Sequence, residues 1–295
     1  MSLIQTLRLR PNSMAMEVQQ VGPGFVAEVS GVQLADIHSE ADIAAFRQIW
    51  MENKVVVLHD QHLSDEELLA FTRRMGPLFT HVRSMFHSPD YPEIMYVSNL
   101  KEDGRALGSL GDGDLGWHTD QCYTARPSWA TLLYGVEIPH DGGNTYFANL
   151  VAAYDAMPDD LRAAAEGQRV VYSVLADTVS KKSKITDEQR ARTPDVLQPL
   201  IRTHPYLGHK ALYASPNHYV RIDGMDQADG DALFQRLVDW FARDAFIYAH
   251  DWRVGDVVLW DNASVAHRRD AFPPTQRRFL KRTGFHLPED LAAPF

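Results

Sequence analysis

The second half of the chain alternates short apolar segments with turn-forming residues, and this alternation limits the fold more than any other feature. An apolar run at 131–134 is followed by the turn-forming residues 140–144 and by a second apolar run at 145–147. Further strand-like segments lie at 257–260 and 278–283. Strands joined by tight turns have this spacing. The pattern therefore predicts an antiparallel β sheet.

The first third of the chain mixes helices with strands. Ser39 with Asp42, and Ser64 with Glu67, have the three-residue spacing of helix N-terminal capping pairs. Apolar residues at helical spacing follow each pair, which predicts two amphipathic helices. The β-branched run at 54–58 predicts a buried strand between them.

The 295 residues show no internal repeat and no low-complexity linker. We therefore expect a single domain over 1–295, a length that one elaborated domain can reach. Residues 177–198 are rich in charge and lack a sustained strand period. They are interpreted as a surface insertion or, alternatively, as a lid over an active site, because long insertions in compact domains are often functional.

Charge and cysteine content narrow the partners and the compartment. The 29 Lys and Arg against 39 Asp and Glu give a net charge of −10, the wrong sign for binding a phosphate backbone or an anionic membrane surface. Neither nucleic acid nor a membrane is expected as a partner. The single cysteine, Cys122, cannot form an intramolecular disulfide, and the N-terminus lacks a signal-peptide core. We expect a cytoplasmic protein, and the sequence is compatible with a homo-oligomer.

Residues 101–116 are polar and glycine-rich, which predicts a loop, and the end of this stretch, 111–116, matches the spacing GxGxxG. A dinucleotide-binding fingerprint opens a helix, whereas the residues after this stretch read as a strand. Asp112 and Asp114 would also repel phosphate. A calcium loop is excluded as well, because Trp117 stands where that loop needs its glycine.

The sequence Trp117-His118-Thr119-Asp120 is a candidate metal-binding motif. On a strand, His118 and Asp120 would project from the same face and could share one ion. An HxD pair is common by chance, but His267 follows the buried strand at 257–260 and could supply a third ligand. Two histidines and one carboxylate leave three positions of an octahedral iron open, which suits oxygen chemistry at non-haem Fe(II).

Four motifs along the chain belong together. They are Trp117-His118-Thr119-Asp120, Gly142-Gly143-Asn144-Thr145, Trp260-Asp261-Asn262 with His267, and Arg278. Their order and spacing resemble those of the Fe(II)- and 2-oxoglutarate-dependent dioxygenases that include taurine dioxygenase and 2,4-dichlorophenoxyacetate dioxygenase, from Gly24 to Arg282. The resemblance implies a mainly β fold, a double-stranded β-helix (a cupin-like jelly roll) with helices packed outside.

The resemblance also implies the cofactors and the residues that hold them. His118, Asp120 and His267 would bind Fe(II), and Thr145 with Arg278 would hold the distal carboxylate of 2-oxoglutarate. Arginine suits this role because its planar fork can grip a carboxylate in two places. The implied reaction uses O2, with 2-oxoglutarate as cosubstrate, to hydroxylate a small organic acid, and it releases succinate and CO2.

Arg282 is the candidate for recognising the substrate. It shares a strand face with Arg278 by the period of two. In the resembling enzymes an arginine at this place meets the substrate's anion, so we expect a small-molecule anionic substrate. A carboxylate is preferred, and a sulfonate or sulfate ester is also compatible. His81 lies in a segment that contributes to the substrate pocket of the family, although a core or surface role for it is equally open.

The residues after the HxD pair receive two conflicting predictions. If the strand continues, Cys122 shares the face of Asp120 while Gln121 and Tyr123 take the opposite face. The resemblance instead implies that Gln121 and Tyr123 border the substrate. We list both as substrate-binding candidates, and we expect Cys122 to be a buried, inert thiol.

One departure from the family and one competing function remain. The family usually has an arginine after Trp-Asp-Asn, whereas this chain has Ala263, which puts a supporting ion pair in doubt. The competing function is a cupin-like binding protein, or a zinc hydrolase that uses the same His-Asp-His set to activate water. Neither alternative requires Arg278 and Thr145.

Overall fold

A computed structural model of the chain describes residues 4–7, 14–176 and 186–286. Its helices are α1 (Glu40–Asn53), α2 (Asp65–Met75), α3 (Leu150–Asp155), α4 (Asp159–Ala165), α5 (Asp187–Arg192) and α6 (Gln227–Phe241), with short 3-10 turns at Leu34–Asp36, Ser84–Phe86, Pro216–His218 and Asp244–Phe246. Its strands are β1 (Ile4–Leu7), β2 (Met16–Val21), β3 (Val26–Ser30), β4 (Val55–Leu58), β5 (Met95–Ser98), β6 (Lys101–Glu102), β7 (Arg105–Ala106), β8 (Ser109–Leu110), β9 (Leu115–His118), β10 (Ala130–Glu137), β11 (Thr145–Asn149), β12 (Arg169–Tyr172), β13 (Val196–Pro199), β14 (Ile201–Thr203), β15 (Lys210–Leu212), β16 (Tyr219–Ile222), β17 (Ile247–His250), β18 (Val257–Asp261), β19 (Val265–Arg269) and β20 (Phe279–Phe285).

Two sheets form the centre of the molecule. Within the described residues, nine strands make the larger sheet in the order β1-β2-β3-β4-β18-β10-β20-β5-β8, and four make the smaller sheet in the order β17-β11-β19-β9. Neighbouring strands are antiparallel except β3 with β4 and β5 with β8. The predicted mainly β, largely antiparallel architecture is confirmed.

The two sheets pack face to face. Phe147 of β11 and Val265 of β19 lie in one buried cluster with Val258 and Trp260 of β18 and Leu280 of β20. The rings of Phe147 and Trp260 are 5.4 Å apart between centroids. Because β18 belongs to the larger sheet and β19 to the smaller, the short turn between them carries the chain across the sandwich.

Helices cover the outer faces of the sheets. α1 and α2 pack on the larger sheet and begin where the capping pairs predict. The Ser39 hydroxyl accepts from the Asp42 amide, and Ser64 with Glu67 forms both bonds of a capping box. On the other side, α3, α4 and α6 pack with β12, β15 and β16 around a second core. Within the described ranges, none of the helices has both the length and the apolar character needed to cross a bilayer.

Three local predictions are corrected. The stretch 101–116 is not one loop, because it contains β6, β7, β8 and the start of β9. The strand predicted through 117–120 ends at His118, because the chain turns there. Of the insertion 177–198, residues 177–185 lie outside the described residues. The remainder contains α5 and β13, and β13 pairs with β12, so this part is not merely a surface excursion.

Candidate active site

Two histidines and one aspartate meet at one end of the smaller sheet. His118 ends β9 and lies directly opposite His267 of β19, with ring centroids 4.0 Å apart. The Nε2 atoms of His118 and His267 lie 3.9 Å and 3.8 Å from the two Asp120 carboxylate oxygens. All three side chains are buried, and their potential ligand atoms lie within 4.8 Å of one another. The structure thus brings together the three residues proposed as metal ligands.

Asp120 reaches the site from a turn rather than from the strand. After His118 the chain turns, and Gln121 adopts a positive φ of 54°. The Asp120 amide donates to Asn262 Oδ1 at 3.1 Å. The prediction that strand periodicity aligns Asp120 with His118 is therefore wrong. The pairing arises because Asn262, on the turn between β18 and β19, holds the backbone of Asp120.

A hydrogen-bond network orients the Asp120 carboxylate. Thr131 Oγ1 donates to Asp120 Oδ2 at 2.5 Å, and Asn262 Nδ2 donates to Thr131 Oγ1 at 3.0 Å. Trp260 Nε1 donates to Asn262 Oδ1 at 3.0 Å. Partners of this kind fix the direction of a ligand oxygen. The Trp-Asp-Asn motif thus supports the carboxylate through the side chains of Trp260 and Asn262.

The two imidazoles suit metal binding. His118 Nδ1 donates to the Gly116 carbonyl oxygen at 2.9 Å, which directs Nε2 toward Asp120 as the atom that can bind a metal. Packing orients His267, whose ring lies 4.7 Å from that of Trp260. Burial, followed by repulsion from His118, holds the pKa of His267 well below its ordinary value, which keeps the ring neutral.

Arg282 points into the same site and pairs with Asp120. Its Nη2 lies 2.9 Å from Asp120 Oδ1. Burial alone would raise the pKa of Asp120, but the positive charge of Arg282 outweighs it, and the pKa lies below its ordinary value. Asp120 is therefore anionic at neutral pH, the state that a metal ligand requires.

A cavity of about 50 Å3 adjoins two of the three residues, His118 and Asp120. Its lining includes His81, Gln121, Tyr123 and Arg282, so the structure gathers all four substrate candidates of the sequence. Gln121 and Tyr123 reach it because the chain has left the strand, so their predicted position on the face opposite Asp120 is wrong. The lining also contains residues that sequence reasoning missed, namely Arg83, Met95, Leu110, Leu115, Asn217 and His218.

The missed residues carry little sequence signal. Asn217 and His218 lie in a 3-10 turn about 100 residues from the metal motif, and only the fold brings that turn beside β9. Arg83 lies two residues beyond His81. It could have been found from the resemblance, which implies that the segment around His81 contributes to the substrate pocket. Cys122 avoids the cavity, and burial raises the pKa of its thiol to about 12, as expected of an inert cysteine.

Arg278 lies immediately before β20 and is 1% exposed. Its Nη2 donates to the Gly143 carbonyl oxygen at 3.3 Å, and its guanidinium carbon lies 5.8 Å from the centre of the Phe272 ring. Within the described part of the chain, no carboxylate forms an ion pair with it. Burial, together with repulsion from Arg269, holds the pKa of Arg278 well below its ordinary value. A buried cation in this state is strongly stabilised by a bound anion.

Thr145 begins β11, two residues after Gly143. It is buried, and its Oγ1 accepts a hydrogen bond from Trp252 Nε1 at 2.9 Å. Gly143 has a φ of +72°, and a Cβ there would lie 3.2 Å from Arg278 Nε. The second glycine of the Gly-Gly-Asn-Thr motif therefore leaves room for the arginine.

Ala263, where the family usually has arginine, leaves Asp261 with other partners. His204 Nε2 lies 3.2 Å from Asp261 Oδ2, and Ser264 Oγ donates to the same oxygen at 2.5 Å. The Ala263 amide donates to Asp261 Oδ1 at 2.9 Å. His204 thus contacts Asp261 in place of the arginine that this chain lacks. The spacing of His204 in the sequence did not indicate this role.

Comparison with known proteins agrees with this geometry. The family described as taurine catabolism dioxygenase TauD, TfdA family matches residues 17–283. The chain belongs to this family. It is 31% identical to the (S)-phenoxypropionate/alpha-ketoglutarate-dioxygenase of Sphingobium herbicidovorans, over 91% of this chain and 94% of that protein. It is 30% identical to the alpha-ketoglutarate-dependent 2,4-dichlorophenoxyacetate dioxygenase of Cupriavidus pinatubonensis, over 91% and 97%.

A solved structure extends the similarity to three dimensions. The crystal structure of AAD-2 in complex with Mn(II) and N-oxalylglycine matches with a TM-score of 0.79 and 30% identity, over 94% of this chain and 99% of that one. The resemblance inferred from the motifs is confirmed. The protein is a 2-oxoglutarate-dependent dioxygenase whose cofactors are Fe(II) and 2-oxoglutarate. The alternative of a binding protein or a zinc hydrolase is not favoured.

Proposed function

We propose that this enzyme is a jelly-roll dioxygenase, one catalytic domain over 1–295, that hydroxylates a small organic carboxylate at an Fe(II) centre held by His118, Asp120 and His267. The observation that carries the proposal is the buried triad, in which two Nε2 atoms converge on one anionic carboxylate. Two imidazole nitrogens and one carboxylate oxygen match the donor set of non-haem Fe(II) oxygenases. The face-to-face sheets support the jelly roll.

When bound, Fe(II) and 2-oxoglutarate would activate O2, which is the oxidant: one oxygen atom would enter succinate, formed with release of CO2, and the other would enter the substrate as a hydroxyl group. The protein's residues hold the reactants in place. Thr131 and Asn262 fix the Asp120 side chain and backbone, respectively, and the Gly116 carbonyl fixes the orientation of the His118 ring. Such fixed partners keep the ligands oriented without reorganisation during the reaction.

Arg278 and Thr145 are the proposed site for the distal carboxylate of 2-oxoglutarate. The buried guanidinium has no carboxylate partner among the described residues, so an incoming carboxylate would offset its lost hydration. Thr145 adds a hydroxyl at the start of β11, two residues after the Gly143 whose carbonyl oxygen accepts from Arg278. A monoacid without the distal group would leave Arg278 uncompensated, which gives the site its preference for a diacid.

The substrate's anion is proposed to bind Arg282. Arg83 adds a second cation to the cavity, and the pKa of His81 is held well below its ordinary value by burial first and then by Arg282 and Arg83. His81 is therefore a neutral hydrogen-bonding group, while the arginines provide the charge. Gln121 and Tyr123 add polar contacts, and Met95, Leu110 and Leu115 give the substrate's carbon skeleton an apolar wall.

The cavity is small for this task. Its volume of about 50 Å3 is well below the roughly 300–1,000 Å3 of ligand pockets, so lining side chains must separate as substrate enters. Arg282 is the side chain whose movement matters most, because it exchanges its contact with Asp120 for the substrate's anion. A planar carboxylate fits the guanidinium fork in a bidentate manner. This favours a carboxylate over a sulfonate or a sulfate ester.

The test is a substrate screen with a matched variant. Succinate release is measured with Fe(II), 2-oxoglutarate and a panel of aryloxyalkanoic and aliphatic carboxylates, sulfonates, sulfate esters and the corresponding carboxamides. We expect stimulation by carboxylates, none by carboxamides, and none in His267→Ala. The substrate assignment is wrong if carboxamides stimulate as well as carboxylates, and the iron site is wrong if His267→Ala retains Fe(II)-dependent turnover.

A cytoplasmic location is also part of the proposal, supported by the single, buried Cys122, which has no second cysteine to oxidise with. Activity after fractionation of the native cells tests it, and recovery from an exported fraction would contradict it. Self-association is tested by sedimentation of the purified enzyme.

A further inference from the structure

Trp252 lies between the proposed cosubstrate site and a hydrogen-bonded chain formed by His250, Asp256 and His59. Its indole Nε1 donates to Thr145 Oγ1 at 2.9 Å, and its side chain belongs to the core between the two sheets. The ring of His250 meets the indole edge to face, with centroids 4.7 Å apart and planes at 86°. His250 is also the residue opposite Thr145 in the pairing of β11 with β17. The indole is therefore held on two sides.

The hydrogen bond from Trp252 decides how the Thr145 hydroxyl can be used. A threonine hydroxyl has one hydrogen to donate and two lone pairs, whereas an indole nitrogen can only donate. Once Trp252 occupies a lone pair of Thr145, the hydroxyl hydrogen remains available for another acceptor. Arg278, beside the Gly143 that precedes this strand, is a cation that attracts a carboxylate to the same place.

Asp256 stabilises the position of Trp252 indirectly, by fixing the His250 ring that packs against the indole. This carboxylate is fully buried and lies 3.0 Å from His250 Nε2 and 2.6 Å from His59 Nδ1. The Arg253 amide, next in the chain after Trp252, also donates to it at 2.8 Å. These bonds prevent the His250 ring from turning away from the indole, so the direction of the N–H bond toward Thr145 is set before any ligand arrives.

We propose that Trp252 is a positioning residue for the cosubstrate, which orients the Thr145 hydroxyl so that it donates to the distal carboxylate of 2-oxoglutarate. The inference rests on the proposed function, in which Thr145 and Arg278 bind that carboxylate. Trp252 does not touch the carboxylate itself. Its removal should therefore affect only ligands that carry the distal group.

The experiment compares two ligands on Mn(II)-loaded protein, which binds without turnover. Calorimetric titration gives dissociation constants for 2-oxoglutarate and for 2-oxobutyrate, which has the same 2-oxo acid group but no distal carboxylate. Trp252→Phe should raise the constant for 2-oxoglutarate by about three- to tenfold, because a hydrogen bond to a charged group is weakened rather than removed. The constant for 2-oxobutyrate should not change. Trp50→Phe is the matched control, a buried indole whose nitrogen has no hydrogen-bond partner among the described residues.

The variant Thr145→Val distinguishes a failure of the role proposed for Trp252 from a failure of the proposed 2-oxoglutarate site. It should weaken 2-oxoglutarate binding at least as much as Trp252→Phe. The dissociation constant of the double variant should be no higher than that of Thr145→Val alone, because both changes remove the same hydrogen bond from the Thr145 hydroxyl to the distal carboxylate. If Thr145→Val weakens binding and Trp252→Phe does not, or if Trp252→Phe weakens both ligands equally, the positioning role is wrong. If neither variant affects 2-oxoglutarate, the cosubstrate site itself is misassigned.

A second measurement covers the case in which Trp252→Phe does not fold. The indole N–H resonance of Trp252 should keep its hydrogen-bonded NMR shift in Thr145→Ser, which retains the acceptor, and should lose it in Thr145→Val. An indole resonance that is the same in both variants would overturn the proposal.

Discussion

Replacing Arg278 with glutamine should have opposite effects on ligand binding and on the stability of the ligand-free protein. The guanidinium is 1% exposed and donates to the Gly143 carbonyl, and no carboxylate of the described residues neutralises it. Burying an unpaired charge is costly, whereas glutamine is neutral and can still donate to the same carbonyl. The variant should therefore be as stable as the wild-type protein without ligand, or more stable.

The same change should remove most of the affinity for 2-oxoglutarate. A hydrogen bond to a charged group contributes about 1.5–3 kcal/mol, which corresponds to an increase of about 10- to 150-fold in the dissociation constant. A ligand present at 100 times its dissociation constant stabilises the folded state by about 2.7 kcal/mol. At a concentration that saturates the wild-type enzyme, the variant should lose most of this stabilisation.

Urea unfolding of both proteins, each with Mn(II) and with or without 2-oxoglutarate, measures the two effects together. The wild type should gain free energy of unfolding on adding the cosubstrate, and Arg278→Gln should gain little. Metal affinity, titrated separately, serves as the control and should be the same in both. The reasoning is refuted if the ligand-free variant is destabilised by several kcal/mol, or if the cosubstrate stabilises both proteins equally.

Three further changes test other parts of the site. His118→Ala should abolish most Fe(II) binding while leaving the far-UV circular dichroism unchanged, and equilibrium dialysis that finds wild-type affinity would exclude His118 as a ligand. Arg282→Lys should raise KM for the substrate, because it keeps the charge and loses the planar fork, with the constant for 2-oxoglutarate nearly unchanged; an unchanged KM would remove the anion-binding role. The hydrogen bond to Asp256 raises the pKa of His59 above its ordinary value of 6.5. The contribution of this contact to the free energy of unfolding is therefore complete below pH 6.5 and is lost as the pH rises through the raised pKa. In urea unfolding, the free energy of unfolding of the wild type should fall relative to that of His59→Gln as the pH rises through this pKa. If the free energies of the two proteins change with pH in parallel, the stabilising role of the His59–Asp256 contact is wrong.

Local sequence signals predicted the helices and the sheet well. The capping pairs at Ser39 and Ser64 mark the starts of α1 and α2 because a capping hydrogen bond is made within one turn of chain. The antiparallel sheet followed from alternation and turn residues, which are equally local. The helix Leu150–Asp155 was missed, since it follows β11 without a break and has six residues.

The site was predicted less completely, because its geometry depends on tertiary contacts. His118 and His267 could be chosen from their motifs. The strand period gave the wrong reason for choosing Asp120, because the backbone of Asp120 is held by Asn262 on the distant turn between β18 and β19. The same turn brings Gln121 and Tyr123 to the cavity. Trp252 has no motif, and only the pairing of β11 with β17 shows that its indole reaches Thr145.

The opposition of His118 and His267 across β9 and β19 links the site to folding. In an unfolded chain these residues would be separated by a loop of about 150 residues, and bringing its ends together has an entropic cost. An ion bound by both histidines and Asp120 would bind the folded state far more tightly than the unfolded one, and so would stabilise the paired strands. A shortage of the metal would then reduce the amount of folded enzyme as well as its rate, and heat resistance in cell extracts would rise and fall with metal supply.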